Sequence, residues 1–241
     1  MSSNFVLLLA NASVLLHLNG KSILIDGLHS EKTQRFSAVS PALQQAILAG
    51  EGVFSHIDYM LVTHDHPDHA SAALTNRFLK AHTETLLLTP QRGLLHKDNV
   101  REITRAQEHV VCGTDSFLFQ RVTHDGQEFK NMPNYAIIGE IDEKRFVLFG
   151  DAGVDKTLLS HTVFHTHFHL ALLNFPFLTL TRGREIIQSL APEEAVIFHL
   201  PFAQDDINGY LDAARRAREK FESVLPPLHV LTSEMQKEYL L

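Results

Sequence analysis

The chain has 241 residues, of which 44% are hydrophobic and 20% charged, with 21 Lys and Arg against 28 Asp and Glu for a formal net charge of -7. That length can bury a substantial core, and the acidic balance disfavours RNA or DNA as an obligatory partner, because such binding draws on phosphate neutralisation by basic side chains. The single cysteine, Cys112, excludes a disulfide framework and a cysteine-rich structural zinc site.

Phe5 to Ala10, Ser13 to Leu18 and Lys21 to Asp26 read as three strands, and Asn19-Gly20 between the second and third is a tight-hairpin signal. The apolar start has no basic region ahead of it and is interrupted by Asn11 and Asn19, so it reads as sheet rather than as a secretory signal. No stretch approaches the roughly twenty apolar residues that span a bilayer. No membrane partner and a cytoplasmic location are therefore expected. Residues 34–49 read as a helix with Pro41 near its start.

Asp58 to Thr63 is a short apolar, β-branched run that reads as a buried strand, and Asp68 to Lys80 carries the three- and four-residue apolar spacing of a helix with Pro67 at its first position. Between them, residues 63–69 read Thr-His-Asp-His-Pro-Asp-His, which packs three imidazoles and two carboxylates into one strand-to-helix turn. One histidine is usually a hydrogen-bonded structural residue. This density reads as a metal site, with His64 and His66 on one side and Asp68 and His69 projecting from the first helical turn as a second, adjacent group. Imidazole and carboxylate donors suit zinc, iron, manganese or nickel.

Glu84 to Pro90 reads as a strand and Gln91 to Leu95 as a short helical or turn segment. Phe119 to His124, Arg145 to Asp151 and Ala195 to His199 each run as a strand into a histidine or aspartate, the last of them apolar. His161, His165, His167 and His169 form a second histidine-rich stretch, read as surface or interface residues ahead of pocket-mouth contacts, with a third metal site less expected still. Leu170 to Leu180 is apolar enough for core, a pocket wall or a dimer patch, which leaves an oligomer open. Thr181-Arg182-Gly183-Arg184 at a helix start can bind an anionic group or simply be solvated. Ile207 to Val224 reads as an amphipathic helix with a solvated basic face, and Leu228 to Leu231 as a closing strand. With no Pro/Gly/Ser-rich linker, low-complexity run or short-period repeat, residues 1–241 read as one domain.

The heptapeptide resembles the His-x-His-x-Asp-His signature of the metallo-β-lactamase superfamily, and the resemblance extends over nearly the whole chain in the expected motif order. It implies an α/β (α+β) fold in the form of a four-layered αββα sandwich. It also implies a metal-ligand set: His64, His66 and His124 for one ion, Asp68, His69 and His199 for the other, with Asp151 bridging. Asp26 is implied to stand behind the ligands, and Asp26 and Asp65 are expected to bond ligand imidazoles from outside. Thr123-His124-Asp125-Gly126 departs from the Gly-His-Ser or Gly-His-Thr form of several branches, which argues against glyoxalase-like and quorum-lactonase members. The overall look is closer to the ascorbate-6-phosphate lactonase-like branch.

Two cations roughly 3.5 to 4 Å apart can share a hydroxide, polarise an attacked oxygen and serve a leaving group. The expected function is a dinuclear metal-dependent hydrolase whose bridging hydroxide attacks a small-molecule ester, lactone or phosphoester, with Asp68 and Asp151 closest to the chemistry. Zn2+ is the expected ion, with Mn2+ and Fe2+ left open. A phosphodiesterase or nuclease-type member of the same fold and a noncatalytic metal-binding sensor are the alternatives, and a two-iron redox version lacks the expected flavin-binding partner domain.

Overall fold

The computed structural model describes residues 3–30, 36–95, 98–155 and 166–241. The chain begins as a meander of β1 (Phe5–Ala10), β2 (Ser13–Leu18) and β3 (Lys21–Ile25). Asn19 and Gly20 both take positive φ, 48° and 80°, as the two-residue turn between β2 and β3 requires. Two crossovers follow. Helix α1 (Pro41–Ala49) leads to β4 (Tyr59–Leu61), and α2 (Ala72–Ala81) leads to β5 (Leu86–Thr89), with β6 (Val100–Glu102) beyond.

The second half repeats this scheme. β7 (Gln107–Cys112), β8 (Asp115–Val122), β9 (Asn134–Ile141) and β10 (Lys144–Leu148) form an antiparallel meander. Next come β11 (Leu170–Asn174), a short α3 (Pro176–Thr179), α4 (Thr181–Leu190), β12 (Glu194–Phe198), α5 (Tyr210–Phe221) and β13 (Leu228–Val230). The last strand, β14 (Lys237–Tyr239), returns to pair with β1. The sheet orders are β14-β1-β2-β3-β4-β5-β6 and β13-β12-β11-β10-β9-β8-β7. In each, pairings are antiparallel on one side and become parallel from β3 and from β10 onward.

Burial shows how the layers meet. In the second sheet Phe146, Leu148, Leu170, Leu172, Val196 and Phe198 join a core shared with the first sheet. Their alternate neighbours Val147, Phe149, Ala171, Leu173, Ala195 and Ile197 pack instead with Phe177, Ile186 and Ile187 of the outer helices. Leu43, Ile47, Leu74 and Phe78 cover the first sheet from α1 and α2. The period-two alternation of strands buried on both faces thus gives helix, sheet, sheet and helix layers, an α/β sandwich.

The structure corrects several boundaries. Helix α1 starts at Pro41, not at residue 34, because proline fits the first turn and Ser40 caps it by accepting from Leu43 N at 3.3 Å. Residues 34 and 35 lie outside the described residues. Helix α2 starts at Ala72 and not at Asp68: Ser71 is its cap, and Pro67, Asp68 and His69 form a turn in which His69 N and Ala70 N both donate to His66 O at 3.0 Å. Ala70 is held in a parallel bridge to Leu28, which stops the helix from extending backward. Gln91 to Leu95 is not helical. Leu170 to Leu180 resolves into β11, buried at all five positions, and α3, of which Phe177 and Leu178 are buried, so most of this apolar stretch is core while Leu180 at its end is exposed.

Candidate metal centre

The chemistry-bearing residues gather in the crevice at the carboxyl ends of strands from both sheets, where α/β folds open for ligands. Asp26 follows β3, Thr63 and His64 follow β4, His124 follows β8, Gly150 and Asp151 follow β10, and His199 directly follows β12. His124 is held beside Asp151 by an isolated bridge between His124 and Ala152, with Asp125 N donating to Asp151 O at 2.8 Å. Asp26 at φ 46° and His199 at φ 61° take left-handed conformations, and the strain falls where function is expected.

All seven predicted ligands come together, in two groups. His64, His66, His124 and Asp151 form one, and Asp68, His69 and His199 form the other. In the first, His64 Nε2 lies 3.0 Å from His66 Nδ1 and 3.3 Å from His124 Nε2, and His124 Nε2 lies 3.2 Å from His66 Nδ1. In the second, His69 Nε2 and His199 Nε2 are 3.2 Å apart. Asp151 touches both groups: Oδ1 lies 2.9 Å from His199 Nε2, and Oδ2 lies 3.3 Å from His69 Nε2 and 3.8 Å from His124 Nε2.

The hydrogen bonds behind these rings fix which nitrogen faces inward. Asp26 Oδ1 accepts from Thr63 N at 2.8 Å, and its Oδ2 accepts from Thr63 Oγ1 at 2.7 Å and from His69 Nδ1 at 3.0 Å. Having given its proton to Asp26, Thr63 Oγ1 accepts from His64 Nδ1 at 2.9 Å. His124 Nδ1 donates to Asp125 O at 2.6 Å. With Nδ1 protonated, His64 and His124 direct bare Nε2 lone pairs at each other. Two lone pairs repel, so the arrangement calls for a cation between them. A tetrahedral zinc at about 2.0–2.1 Å from each nitrogen puts its ligands about 3.3–3.4 Å apart, close to the spacing seen here. The donor set fits a metal.

Electrostatics agrees with this reading at His64 and His66, whereas without a metal His69 and Asp151 pair as imidazolium and carboxylate. Burial, reinforced by His69, pushes the His64 imidazole well below its ordinary value and so keeps it neutral. Burial and His124 lower His66 as well. Burial also pushes His69 down, but Asp151 and Asp26 outweigh it and hold that ring well above the ordinary value. Burial favours a protonated Asp151, yet His199 and His69 overcome it and keep the carboxyl well below the usual carboxylate range.

Several supporting residues are not legible as site residues in the sequence. Asn11, fully buried, donates from Nδ2 to Asp68 Oδ2 at 3.3 Å and accepts from His199 N at its carbonyl. Asn134 Oδ1 accepts from Asp151 N at 3.2 Å, and Asn174 Nδ2 donates to Gly150 O at 3.3 Å. Gly150 is at φ 55°, and a Cβ there would lie 2.5 Å from Asn134 Oδ1 and 2.9 Å from Thr63 Cβ, so only glycine fits this close approach. Two aromatic rings flank the centre: Phe129 lies 4.8 Å from His66, and Phe36 lies 4.6 Å from His199.

Other expectations are revised. Asp65 bonds no ligand imidazole among the described residues; its Oδ1 accepts from Gln91 Nε2 at 3.2 Å. His161 and His165 lie outside the described residues. His167 and His169 gather with Glu193 near the surface, with His167 Nε2 3.0 Å from Glu193 Oε1. However, His169 Nδ1 accepts from Arg145 N at 3.0 Å, which leaves the proton on Nε2 and weighs against a third metal there. Arg184 is no free anion anchor: it donates to Leu178 O and Thr179 O at 2.8 and 2.9 Å and stacks on Phe221 at 3.9 Å.

No family model and no curated protein matches the sequence. Solved structures do. The metallo-β-lactamase fold protein YhfI from Bacillus subtilis aligns at TM-score 0.66 and 13% identity over 99% of this chain and 100% of its own. An isothiocyanate hydrolase from Delia radicum gut bacteria aligns at 0.67 and 16% over 97% and 98%. CmlA, a diiron β-hydroxylase from Streptomyces venezuelae, aligns at 0.68 and 13% over all of this chain, which spans about half of that protein (55%). The chain has the metallo-β-lactamase fold.

Proposed function

We propose that this chain is a metal-dependent hydrolase that holds two divalent metal ions and cleaves a small-molecule ester, lactone or phosphoester. The observation that carries the reading is the shared carboxylate. Asp151 stands between a three-histidine group and the Asp68, His69 and His199 group, with Oδ1 and Oδ2 turned to different imidazoles.

His64, His66 and His124 would hold one ion, Asp68, His69 and His199 the other, and Asp151 both. When bound, the ions supply Lewis acidity and lower the pKa of water toward neutrality. Asp26 orients His69 directly and His64 through Thr63, so a single carboxylate aims one imidazole of each group. Asn11 takes Asp68 Oδ2, holding the carboxylate in place with its other oxygen left for the centre. His66 and Asp151 are the members of the set that solvent reaches most, so substrate enters over them. Zn2+ is the expected ion, and the same donors accept Mn2+ or Fe2+. The net charge of -7 supports a small molecule over nucleic acid. Among the described residues no helix is long and apolar enough to cross a membrane, and the reading includes a cytoplasmic setting.

The test is a panel of lactones, carboxylic esters and phosphodiesters assayed after chelator treatment and again after readdition of each metal. Hydrolysis of one class that disappears and returns with metal, and is lost in Asp151→Ala, supports the proposal. Turnover of phosphodiesters alone narrows the proposal to its phosphoester arm, the phosphodiesterase type of the same fold. No turnover with metal bound points to a noncatalytic sensor.

A further inference from the structure

Phe129 is a large apolar side chain left 40% exposed beside a polar centre. It sits in a tight turn, Gln127–Phe129, whose start is Gly126 at φ 82°. Its ring meets His66 at 4.8 Å and 76° and His124 at 5.2 Å and 54°, so the phenyl packs against two imidazoles of the same group. A single exposed phenylalanine is ordinary. This one differs because its ring packs against two imidazoles of the candidate centre while the side chain stays exposed next to His66, which is half-buried.

The surroundings bear on what covers that ring. Asp65, Asp125 and Glu128 adjoin His66, His124 and Phe129 in the chain and are exposed, with Lys130 as the basic neighbour. A phenyl face left exposed beside a polar centre is covered favourably by an apolar group of a bound molecule. Resting on the hydrolase reading above, we infer that Phe129 is a specificity-determining residue that packs against an apolar or aromatic acyl group of the substrate.

The test uses binding rather than turnover. Metal-loaded protein is titrated by calorimetry with acetohydroxamate and with phenylacetohydroxamate, which share one metal-binding group and differ only in the apolar arm. Wild type should bind the phenyl compound on the order of tenfold more tightly. Phe129→Ala should bring the two affinities within about twofold, and Phe129→Trp, which keeps an aromatic face, should retain the preference. Equal affinities in wild type, or a preference that survives in Phe129→Ala, overturns the inference while leaving the metal centre standing. Loss of the preference in Phe129→Trp also overturns it. Wild-type protein that takes up no metal and binds neither hydroxamate overturns the hydrolase reading and this inference together.

Discussion

Asp26 accepts three hydrogen bonds and through them sets the tautomer of one imidazole in each donor group. Asp26→Asn keeps an acceptor for Thr63 N but replaces the oxygen that receives Thr63 Oγ1 and His69 Nδ1. Metal affinity should fall about 10- to 100-fold with the fold intact, as read by competition against a chromophoric chelator and by circular dichroism. Affinity equal to wild type would show that the two rings need no such support. The ligands themselves were legible to different degrees. His64, His66, Asp68 and His69 crowd a single turn, whereas His124, Asp151 and His199 each look like ordinary strand-end residues and gain meaning only from their order along the chain. Apart from Asp26, which the motif order points to, the supporting polar residues were not legible, because their partners are distant in sequence. Asn11 reaches Asp68 across 57 positions and Thr63 reaches Asp26 across 37, and no local pattern records such a bond. Asp65 misled because it lies beside two ligands yet turns toward Gln91.

Strands with strong alternation or apolar runs, such as β1 to β4, β10 and β12, follow from the sequence, and so does the Asn19-Gly20 turn. Helix starts do not, because capping and tertiary bridges decide them: Ser71 rather than Pro67 opens α2, since Ala70 is tied to Leu28. Helix packing also depends on contacts that the sequence conceals. At Gly183 in α4 an added Cβ would lie 2.4 Å from Phe177 Cα and O, so Gly183→Ala must push α4 off α3. That overpacking should cost about 1–3 kcal/mol in urea unfolding. A variant as stable as wild type would mean that the helices slide freely. The start of β3 is pinned to the segment before β4 by Asp58, which binds Lys21 Nζ and Ser22 N, both at 2.9 Å. Burial pushes the Asp58 carboxyl up, but Lys21 and the Ser22 N–H outweigh it and place its folded pKa below the ordinary 3.8. Near that value the unfolded chain binds more protons than the folded one. The contribution is therefore present above pH 3.8 and lost as pH falls through the folded pKa. Because Lys21 is 41% exposed, Asp58→Asn should cost at most about 1 kcal/mol at pH 7, a gap that narrows below pH 4; a gap independent of pH would contradict the pairing.

At the scale of the molecule, two sheets built on one scheme meet where their parallel strands end. Each contributes an acidic residue after its first parallel strand: Asp26 after β3 and Asp151 after β10. The first sheet's acid stands behind the imidazoles and the second sheet's acid faces them, so the centre needs both halves of the chain. The layered architecture was legible through the motif order and the alternation of strands and helices. The face-to-face repetition was not, because it is carried by backbone pairing rather than by repeated residues. Metal stoichiometry is the most direct test of a centre shared between the two halves. Protein purified without chelator should carry close to two transition-metal ions per chain by elemental analysis, and Asp151→Ala should lower the content of both together. Wild-type protein without bound metal, or with a content that Asp151→Ala leaves unchanged, would contradict the shared centre.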